Sequence, residues 1–195
     1  MTHDAPKIAL FGGTFDPIHE GHLEIVTRAQ HEINLDQVIF LPCRRSPHKE
    51  TGPIASDQKR LEMLQRAIAN LPWAEVSDFE FHRPAPSYTW QTIEALKPNL
   101  AKNTKLFLII GLDQWEALPR WKNPEKLAAS VTFLVFGRNG EPAPREGYHA
   151  HFFESDHPAS SSEIRQILAS KQPHIWLPAA VSDYIAKKHL YSRIR

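Results

Sequence analysis

The feature that most constrains the fold is an alternation of short apolar segments with amphipathic segments, which continues along the 195-residue chain. The apolar segments have the length and composition of buried strands, and the amphipathic segments place apolar residues at helical spacing. Such alternation predicts an α/β protein with a mainly parallel sheet covered on both faces. The predicted strands are 7–11, 37–42, 74–82, 105–111, 131–138 and 150–154, and the predicted helices begin near 22, 56, 87, 113, 160 and 179. Ser56 is the predicted cap of the second helix.

Four segments lie at or just after the predicted strand ends. In an open parallel sheet, ligands bind beyond the carboxyl ends of the strands. The sequence therefore predicts that these segments converge on one site. They are 12–22, 42–49, 111–121 and 159–165.

The charge balance excludes binding that relies on a strong overall electrostatic attraction. The chain has 23 Lys and Arg against 22 Asp and Glu, a formal net charge of +1. We expect no nucleic-acid partner and no membrane partner, although a local basic cluster could bind a small anion. No apolar stretch approaches the length that spans a bilayer, and the first residues lack a signal-peptide pattern. The single cysteine, Cys43, excludes an internal disulfide and fits a reducing compartment, so we expect a cytoplasmic protein.

The segment LFGGTFDPIHEGHLEIV, residues 10–26, combines a glycine pair with two histidines three residues apart. Gly12 and Gly13 allow a sharp turn and the close approach of a phosphate. His19 and His22 stand at the expected start of a helix, share one face and lie beside its free N–H groups. Gly21 is expected to leave room above that face for a ligand. The two histidines are therefore predicted donors to a triphosphate.

The residues of this segment do not match several more common nucleotide- and metal-binding motifs. A Walker A loop needs Lys followed by Ser or Thr after its glycines, and the dinucleotide fingerprint needs three spaced glycines. HEGH is one residue shorter than the zinc-protease motif H-E-x-x-H. Taken singly, a glycine pair is more often a plain turn, and such histidines are more often surface residues. The full order of strand, GGTFD, P-I-H-x-G-H and helix is far more specific.

GGTFDPIHEGH resembles the signature of the nucleotidyltransferase superfamily that carries the T/H-x-G-H motif. Five further blocks narrow the resemblance to the bacterial nicotinate-nucleotide adenylyltransferases along nearly the whole chain. The resemblance implies a Rossmann-like, doubly wound fold of one domain, residues 1–195, with a small C-terminal helical subdomain from about residue 158. The blocks are SPHK (46–49), PSYTWQTI (86–93), IIGLDQWEALPRW (109–121), SSSEIR (160–165) and LPAAVSDYIAKKHLY (177–191).

The resemblance also implies the reaction. The family transfers AMP from ATP to nicotinic acid mononucleotide, giving deamido-NAD and pyrophosphate, a step on the route to NAD. The acceptor's phosphate oxygen attacks the α-phosphorus of ATP, so catalysis can consist of positioning and charge stabilisation. Mg²⁺ would accompany the triphosphate and keep most of its waters. We therefore expect ATP and nicotinic acid mononucleotide as ligands, Mg²⁺ as cofactor and no metal site built from protein ligands; a homo-oligomer is compatible with the sequence.

By resemblance, three segments form the ATP side of the site. His19 and His22 would contact the phosphates as the catalytic residues, and Arg165 would bind the departing pyrophosphate. Asp113 suits a ribose hydroxyl, although it could equally cap the following helix. A serine-rich helix start with an arginine is, by itself, more often an ordinary cap and a surface residue. The predicted ATP-binding residues are Gly12, Gly13, Thr14, Phe15, His19, His22, Gly111, Asp113, Ser161, Ser162 and Arg165.

The mononucleotide side follows from the same resemblance. Trp121 matches an aromatic platform for the pyridine ring, because a flat, electron-poor ring stacks well on indole. Spacing alone does not separate Trp121 from Trp115 as a core residue, and Trp90 is predicted to be structural. Arg44 stands with Arg45 where relatives often have asparagine, and either arginine could meet the mononucleotide phosphate. The predicted mononucleotide-binding residues are Arg44, His48, Lys49, Tyr88, Thr89 and Trp121.

Other functions stay open at this point. An adenylyltransferase that prefers nicotinamide mononucleotide would share nearly all of these motifs. Pantetheine-phosphate adenylyltransferases and cytidylyltransferases of the same superfamily lack the combined PSYT and GLDQWEALPRW blocks. A non-catalytic nucleotide sensor could also use this fold, but His19, His22 and Arg165 are present, which speaks against it.

Overall fold

The protein is described by a computed structural model that covers residues 5–46, 51–137, 142–170 and 176–192. At its centre lies one six-stranded sheet in which every neighbouring pair of strands is parallel. The strands are β1 (Lys7–Gly13), β2 (Gln37–Pro42), β3 (Ala74–Val76), β4 (Lys105–Gly111), β5 (Thr132–Gly137) and β6 (Ala150–Glu154). Their order is β3-β2-β1-β4-β5-β6. The sheet therefore grows in opposite directions from β1 and β4, which creates a crevice at their carboxyl ends.

Alternate residues of each strand point to opposite faces of the sheet, and both faces are buried. On β1, Ala9 and Phe11 join one apolar core, whereas Leu10 joins a second core on the other face. The neighbouring β4 repeats the pattern with Ile109 in the first core and Leu108 in the second. Burial on both faces explains why these strands are continuous apolar runs in the sequence.

Seven helices cover the two faces in the described part of the chain, which confirms the predicted Rossmann-like, doubly wound α/β fold. They are α1 (Glu20–Ile33), α2 (Asp57–Ala67), α3 (Thr89–Leu96), α4 (Leu112–Ala117), α5 (Pro124–Ala128), α6 (Ser161–Ala169) and α7 (Ala179–Lys187). The first core receives α1, α2, α6 and α7 through Val26, Leu64, Ile164 and Val181. The second receives α3, α4 and α5 through Ile93, Trp115 and Leu127. The last two helices thus share one core with β1 and α1, and none of the described helices is long and apolar enough to cross a bilayer.

Two serines begin helices by capping a free backbone N–H group. Ser56 accepts a hydrogen bond from the Lys59 N–H at 3.5 Å, which confirms the predicted cap of α2. Ser160 caps α6 by accepting from the Glu163 N–H at 3.2 Å, and its hydroxyl lies 3.0 Å from the Glu163 carboxylate. These two bonds fix the start of α6.

The predicted strand 74–82 is wrong beyond Val76, where β3 ends. A 3₁₀ turn, Phe79–His82, replaces the rest of that strand. The alternation of polar and apolar residues has a different origin here, because the turn directs the Glu80 side chain inward. There the carboxylate accepts a hydrogen bond from the Thr92 hydroxyl at 2.8 Å. A polar residue in an alternating pattern is usually read as an exposed strand position. Periodicity alone does not show that such a residue is instead buried and bonded to a distant helix.

Candidate active site

The loop between β1 and α1 is shaped by the ring of Phe15. This ring is buried, and a Cβ on Gly13 would lie 2.7 Å from it. Only glycine can occupy that position without displacing the ring. Phe15 itself has φ 48°, so the chain reverses sharply after the glycine pair. The predicted role of the pair in a tight turn is therefore supported by the geometry.

Asp16 fixes the position of the same loop within the fold. Its buried carboxylate accepts hydrogen bonds from the Ile54 N–H at 2.7 Å, the Ala55 N–H at 3.1 Å and the Tyr191 hydroxyl at 2.6 Å. Burial, together with the nearby Asp16 carboxylate, raises the pKa of the Tyr191 hydroxyl. Tyr191 therefore stays protonated and keeps donating to Asp16.

Arg60 of α2 joins the ends of two strands. Its side chain is fully buried, and Nη1 donates to the carbonyls of Thr14 at 2.8 Å and Cys43 at 2.7 Å. Nη2 donates to the Asp57 carboxylate at 2.6 Å, which balances the guanidinium charge. The β1–α1 loop and the segment after β2 are thus held in a fixed relation by one buried cation.

The two histidines form a stacked pair at the start of α1. Their ring centroids are 3.7 Å apart with an interplanar angle of 28°, which confirms that they share one face of the helix. His22 Nδ1 accepts a hydrogen bond from the backbone N–H of His19 at 3.2 Å. In a neutral His22 ring the proton therefore sits on Nε2, which makes Nε2 the donor. His22 also packs edge-on against Phe15, with centroids 5.1 Å apart.

His19 is neutral at physiological pH. Burial, and secondarily the nearby His157, lowers its pKa from 6.5 to about 4. His19 Nδ1 is buried and has no hydrogen-bond partner within the described part of the chain. A neutral imidazole can donate one N–H and accept one hydrogen bond, so His19 is suited to contact phosphate oxygens as a dipole rather than as a cation.

Gly21 lies against two imidazole rings of the protein, and the expected room for a ligand above its helix face stays a prediction. A Cβ there would lie 3.1 Å from His157 Nδ1 and 3.3 Å from His19 Nδ1. His157, from the segment before α6, accepts a hydrogen bond from the Ala159 N–H at 3.1 Å and packs edge-on against Trp176. The missing side chain of Gly21 therefore makes room for imidazole rings of the protein itself.

The start of α6 lies against the β1–α1 loop, as the predicted convergence of strand ends requires. The Ser161 hydroxyl donates to the Pro17 carbonyl at 2.9 Å, and Arg165 Nη1 donates to the Asp16 carbonyl at 2.6 Å. Arg165 Nη2 also donates to the Ser162 hydroxyl at 3.2 Å. The predicted residues of SSSEIR thus reach the same loop as the histidines, and Arg165 is oriented by two protein acceptors.

A cavity of about 520 Å³ opens beside this loop, at the crevice between β1 and β4. Its wall carries Gly12 from the predicted ATP side and three predicted mononucleotide residues, Tyr88, Thr89 and Trp121. Half of the other wall residues come from the carboxyl-terminal part of β4 and from the segments that precede α3 and α5. The lining residues are Gly12, Cys43, Ser46, Glu80, Ser87, Tyr88, Thr89, Trp90, Leu108, Ile109, Ile110, Gln114, Arg120, Trp121, Lys122 and Leu127.

The structure separates the tryptophans that spacing could not. Trp115 is only 1% exposed and packs edge-on against Phe133 and Phe152, with ring centroids 5.5 Å away in both cases. Trp121 lines the cavity. Trp90 also lines the cavity, so the prediction that it is purely structural misses a wall residue. The aromatic residues in its wall make this cavity suitable for a flat ring.

The wall of the cavity also carries one buried carboxyl. Glu80 is 7% exposed, and burial raises its pKa, although the hydrogen bond from Thr92 opposes the shift. Arg120 and Lys122 contribute two cationic side chains to the same wall. The cavity therefore combines aromatic surfaces with more positive than negative groups, which suits an anionic aromatic ligand.

Gly111 and Asp113 lie together at the end of β4. Gly111 is the N-cap residue of α4, and its N–H donates to the side-chain oxygen of Gln114 at 3.3 Å. A Cβ on Gly111 would lie 2.6 Å from the Asp113 carboxylate, so any larger residue at this position would displace that side chain. Asp113 occupies the first turn of α4 rather than its N-cap, which disfavours the alternative in which it serves only as the cap.

The remaining predicted residues lie elsewhere. Arg44 donates to the Arg83 carbonyl at 3.4 Å and lies 4.0 Å from the Asp57 carboxylate, and it is not among the residues that line the cavity. His48 and Lys49 fall outside the described residues. The assignment of these basic residues to the mononucleotide phosphate stays a prediction.

Sequence reasoning missed several residues that organise the site. Asp16 is inside the GGTFDP motif, which was a usable signal. Arg60 stands on a helix whose polar residues suggest an exposed face. Tyr191 ends the LPAAVSDYIAKKHLY block, but nothing in that block indicates a contact with the β1–α1 loop. Glu80 was hidden by the strand-like alternation around it. These residues share burial, which a single sequence does not report for polar side chains.

Comparison with known proteins agrees with this arrangement. Residues 10–167 match the cytidylyltransferase-like family. A probable nicotinate-nucleotide adenylyltransferase of Methylacidiphilum infernorum is 41% identical over 95% of this chain and 92% of its own length. Another from Thermus thermophilus is 38% identical over 95% of this chain and 99% of its own length. The chain belongs to the nicotinate-nucleotide adenylyltransferase family.

The fold of the family is also seen in solved structures. Plasmodium falciparum nicotinic acid mononucleotide adenylyltransferase complexed with NaAD has a TM-score of 0.80 over 96% of this chain and 98% of its own, at 20% identity. A putative nicotinate-nucleotide adenylyltransferase from Vibrio parahaemolyticus has a TM-score of 0.70 at 16% identity, over 92% of this chain and 99% of its own. At such identities the likeness shows the fold, and family membership rests on the closer sequence relatives. The resemblance read from the motifs is confirmed.

Proposed function

We propose that the protein transfers AMP from ATP to nicotinic acid mononucleotide, forming nicotinate adenine dinucleotide and pyrophosphate in NAD biosynthesis. The observation that carries this proposal is the stacked pair of His19 and His22 at the end of the loop that begins at the cavity wall with Gly12. Histidine donors and an aromatic cavity thereby occupy one sheet edge. A transfer between two nucleotides needs both substrates held side by side in this way.

The reaction balances without a protein nucleophile. A phosphate oxygen of the mononucleotide forms a bond to the α-phosphorus of ATP. The bond from that phosphorus to the bridging oxygen of the β-phosphate breaks, and pyrophosphate leaves with the electron pair. The protein needs to align the two phosphates and to stabilise charge on the phosphoryl oxygens. His19, which burial keeps neutral, and His22 can do so as N–H donors.

We assign the ATP side to the loop, to the end of β4 and to the start of α6. His19 and His22 act as the catalytic residues, and Arg165 binds the departing pyrophosphate. The Arg165 guanidinium is already oriented by the Asp16 carbonyl, which supports a preorganised role. The other residues proposed for this side are Gly12, Gly13, Thr14, Phe15, Gly111, Asp113, Ser161 and Ser162.

We assign the pyridine ring of the mononucleotide to the aromatic cavity. Trp121 supplies the stacking surface, and backbone N–H groups at Thr89 and Lys122 face the ring carboxylate. Donors without acceptors favour a carboxylate, because the NH₂ of a carboxamide would be left unpaired against another donor. Arg44, His48, Lys49 and Tyr88 are proposed to complete the mononucleotide side.

Mg²⁺ enters the proposal as part of the ATP complex. The described residues include no group of three or more His, Cys, Asp or Glu side chains arranged to bind a metal ion. We propose that the ion takes its ligands from phosphate oxygens and water, and that when bound it would neutralise phosphate charge. The chain's own part is to donate N–H groups to the oxygens that remain. We place this reaction in the cytoplasm.

One observation favours a rival substrate, nicotinamide mononucleotide. Glu80 places a carboxyl in the cavity wall, and its oxygens could accept a hydrogen bond from a carboxamide NH₂. We expect the nicotinate form to win by at least about a hundredfold in kcat/KM, the scale seen when a buried polar group loses its partner.

A pyrophosphate-release assay with ATP-Mg²⁺ and a panel of acceptors tests the proposal. We expect rapid release with nicotinic acid mononucleotide, slow release with nicotinamide mononucleotide and none with phosphopantetheine. Equal efficiency with the two mononucleotides would contradict the nicotinate assignment. ATP binding without release for any acceptor would indicate a nucleotide sensor.

A further inference from the structure

The wall of the cavity holds a lysine in a defined place. The Lys122 ammonium lies 4.8 Å from the centre of the Tyr88 ring, and both residues line the cavity. Tyr88 is the N-cap residue of α3, and Lys122 follows Trp121 directly. A cation–π contact restricts the ammonium to the space between these two segments. The flexible side chain therefore has a preferred position at the cavity.

Within the described part of the chain, no carboxylate forms an ion pair that cancels the positive charge of Lys122. None of the ion pairs found among the described residues involves Lys122. Arg120 adds a second cation to the same wall, and Glu80 is the one acidic residue among the lining groups of the described chain. The balance of charge around the cavity is therefore positive. A cation–π contact does not neutralise the ammonium, so Lys122 can still bind an anion.

We infer that the Lys122 side chain is a specificity-determining group, which favours a mononucleotide carrying a carboxylate on its pyridine ring over one carrying a neutral carboxamide. This inference rests on the proposed function and adds to it, because backbone N–H groups discriminate by hydrogen bonding whereas Lys122 discriminates by charge. The two ligands differ by one unit of charge at the ring substituent. An ammonium held at the cavity wall stabilises the anionic ligand and gives the neutral one little.

The chain offers a matched control for the experiment. The Lys126 ammonium lies 4.7 Å from the centre of the Trp90 ring, which is a cation–π contact of nearly the same length. Lys126 belongs to α5, is exposed like Lys122 and is not among the residues that line the cavity. Lys122→Met and Lys126→Met thus remove the same charge and the same kind of contact, one at the cavity and one outside it.

The test compares wild type, Lys122→Met, Lys126→Met and Lys122→Arg. For each, kcat/KM in the pyrophosphate-release assay and the dissociation constant by titration calorimetry are measured with both mononucleotides. We expect Lys122→Met to lower the nicotinate-to-nicotinamide ratio about three- to thirtyfold, the range between an exposed and a partly desolvated ion pair. The loss should fall on the nicotinate form. Lys126→Met should leave the ratio within about twofold, and Lys122→Arg should retain most of it.

Three outcomes would overturn the inference. The ratio could be unchanged in Lys122→Met, both mononucleotides could weaken equally, as expected if Lys122 meets a phosphate, or neither could bind to the wild type. The binding measurement also separates this inference from the proposed function. A dissociation-constant ratio that depends on Lys122, in an enzyme that releases no pyrophosphate, would support the inference and reject the proposed function.

Discussion

The β1–α1 loop and the cavity wall that includes residues 120–122 lie at the same edge of the sheet, but their side chains are held in different ways. In the loop, polar groups bind one another, since Asp16, Arg60 and Arg165 all bond to groups brought from other elements. In the wall, Trp121 and Trp90 border a cavity of about 520 Å³. One region is a closed hydrogen-bonded network, and the other is an open aromatic surface.

The difference matches the demands of the two proposed ligands. Phosphoryl transfer needs donors fixed at the positions where charge develops, and a bonded network provides fixed positions before the ligand arrives. A pyridine ring needs a surface of the right shape and charge, which rings and a few cations supply. Breaking the loop should therefore cost rate and stability together, whereas changing the wall should alter affinity and substrate choice.

Two tryptophans give the sharpest test of this comparison. Trp115→Ala removes a side chain that is 1% exposed, and we expect a loss of about 3–5 kcal/mol in the free energy of unfolding. Trp121→Ala should cost less than half of that, because its ring lines a cavity. It should weaken both mononucleotides by similar factors. Urea denaturation and competition kinetics measure the two effects; equal destabilisation by both substitutions would remove the distinction between core and wall.

Substitution of the two histidines tests whether the β1–α1 loop contributes to catalysis. His19→Ala or His22→Ala should lower kcat by about ten- to a thousandfold, the range for loss of one transition-state donor. His31→Ala is the control, because that side chain is 84% exposed at the other end of α1. Steady-state kinetics at pH 7.5 with saturating substrates provide the measurement. Near-normal turnover in both active-site variants would show that the pair does not act on the phosphates.

The lowered pKa of His19 predicts how stability depends on pH. The folded protein holds this group near 4, chiefly through burial, whereas the unfolded chain binds a proton at about 6.5. Between these values the unfolded state binds more protons, so stability is complete above about pH 6.5 and is lost as the pH falls towards 4. His19 should account for about 3 kcal/mol of that loss.

Urea denaturation at pH 7.0 and 4.5 would measure this contribution. His19→Gln should flatten the difference between the two pH values, because glutamine does not titrate. His31→Gln should leave the difference as in the wild type. If His19→Gln keeps the full pH dependence, the acid sensitivity arises at another group.

The smallest expected effect is on stability, from loss of the hydrogen bond between Tyr191 and Asp16. Tyr191→Phe removes the hydroxyl that donates to Asp16 at 2.6 Å, leaving a buried carboxylate with one donor fewer. We expect a loss of about 1.5–3 kcal/mol, the scale of a hydrogen bond to a charged group. Tyr148→Phe is the control, since that ring packs against Trp115 and Phe133 in the core. Chemical denaturation should show little change for Tyr148→Phe; equal effects would indicate that the hydroxyl of Tyr191 contributes nothing specific.

Much of the fold could be predicted because its elements carry local signals. The apolar run 105–111 is β4, and Ser56 is the cap of α2, as expected. The prediction was wrong for two elements, and each error has a physical reason. The segment after Val76 turns because Glu80 pairs with Thr92, and α5 has five residues, too few to show a helical period. A helix or strand can be predicted from its sequence only when buried and exposed residues alternate along it at a regular spacing.

The site could be predicted where its residues form motifs, and less well where they do not. Tyr88, Thr89 and Trp121 do line one cavity. Trp90 shares that wall although it was predicted to be structural, and the contact of Gly21 with His157 was not foreseen. The difference is that a motif records which residues occur together, whereas the packing around Gly21 depends on His157 from a distant segment.

The sequence by itself determined the layered α/β architecture, the order of the motifs and the chemistry of the loop between β1 and α1. These follow from hydrophobic period and from residue types that are neighbours along the chain. Only the tertiary structure decided that Arg60 is buried between two carbonyls, that Trp121 rather than Trp115 faces the cavity, and that Tyr191 reaches Asp16 across 175 positions. The physical reason is that a polar side chain becomes buried only when distant segments supply its hydrogen-bond partners, and such partners leave no trace in local spacing.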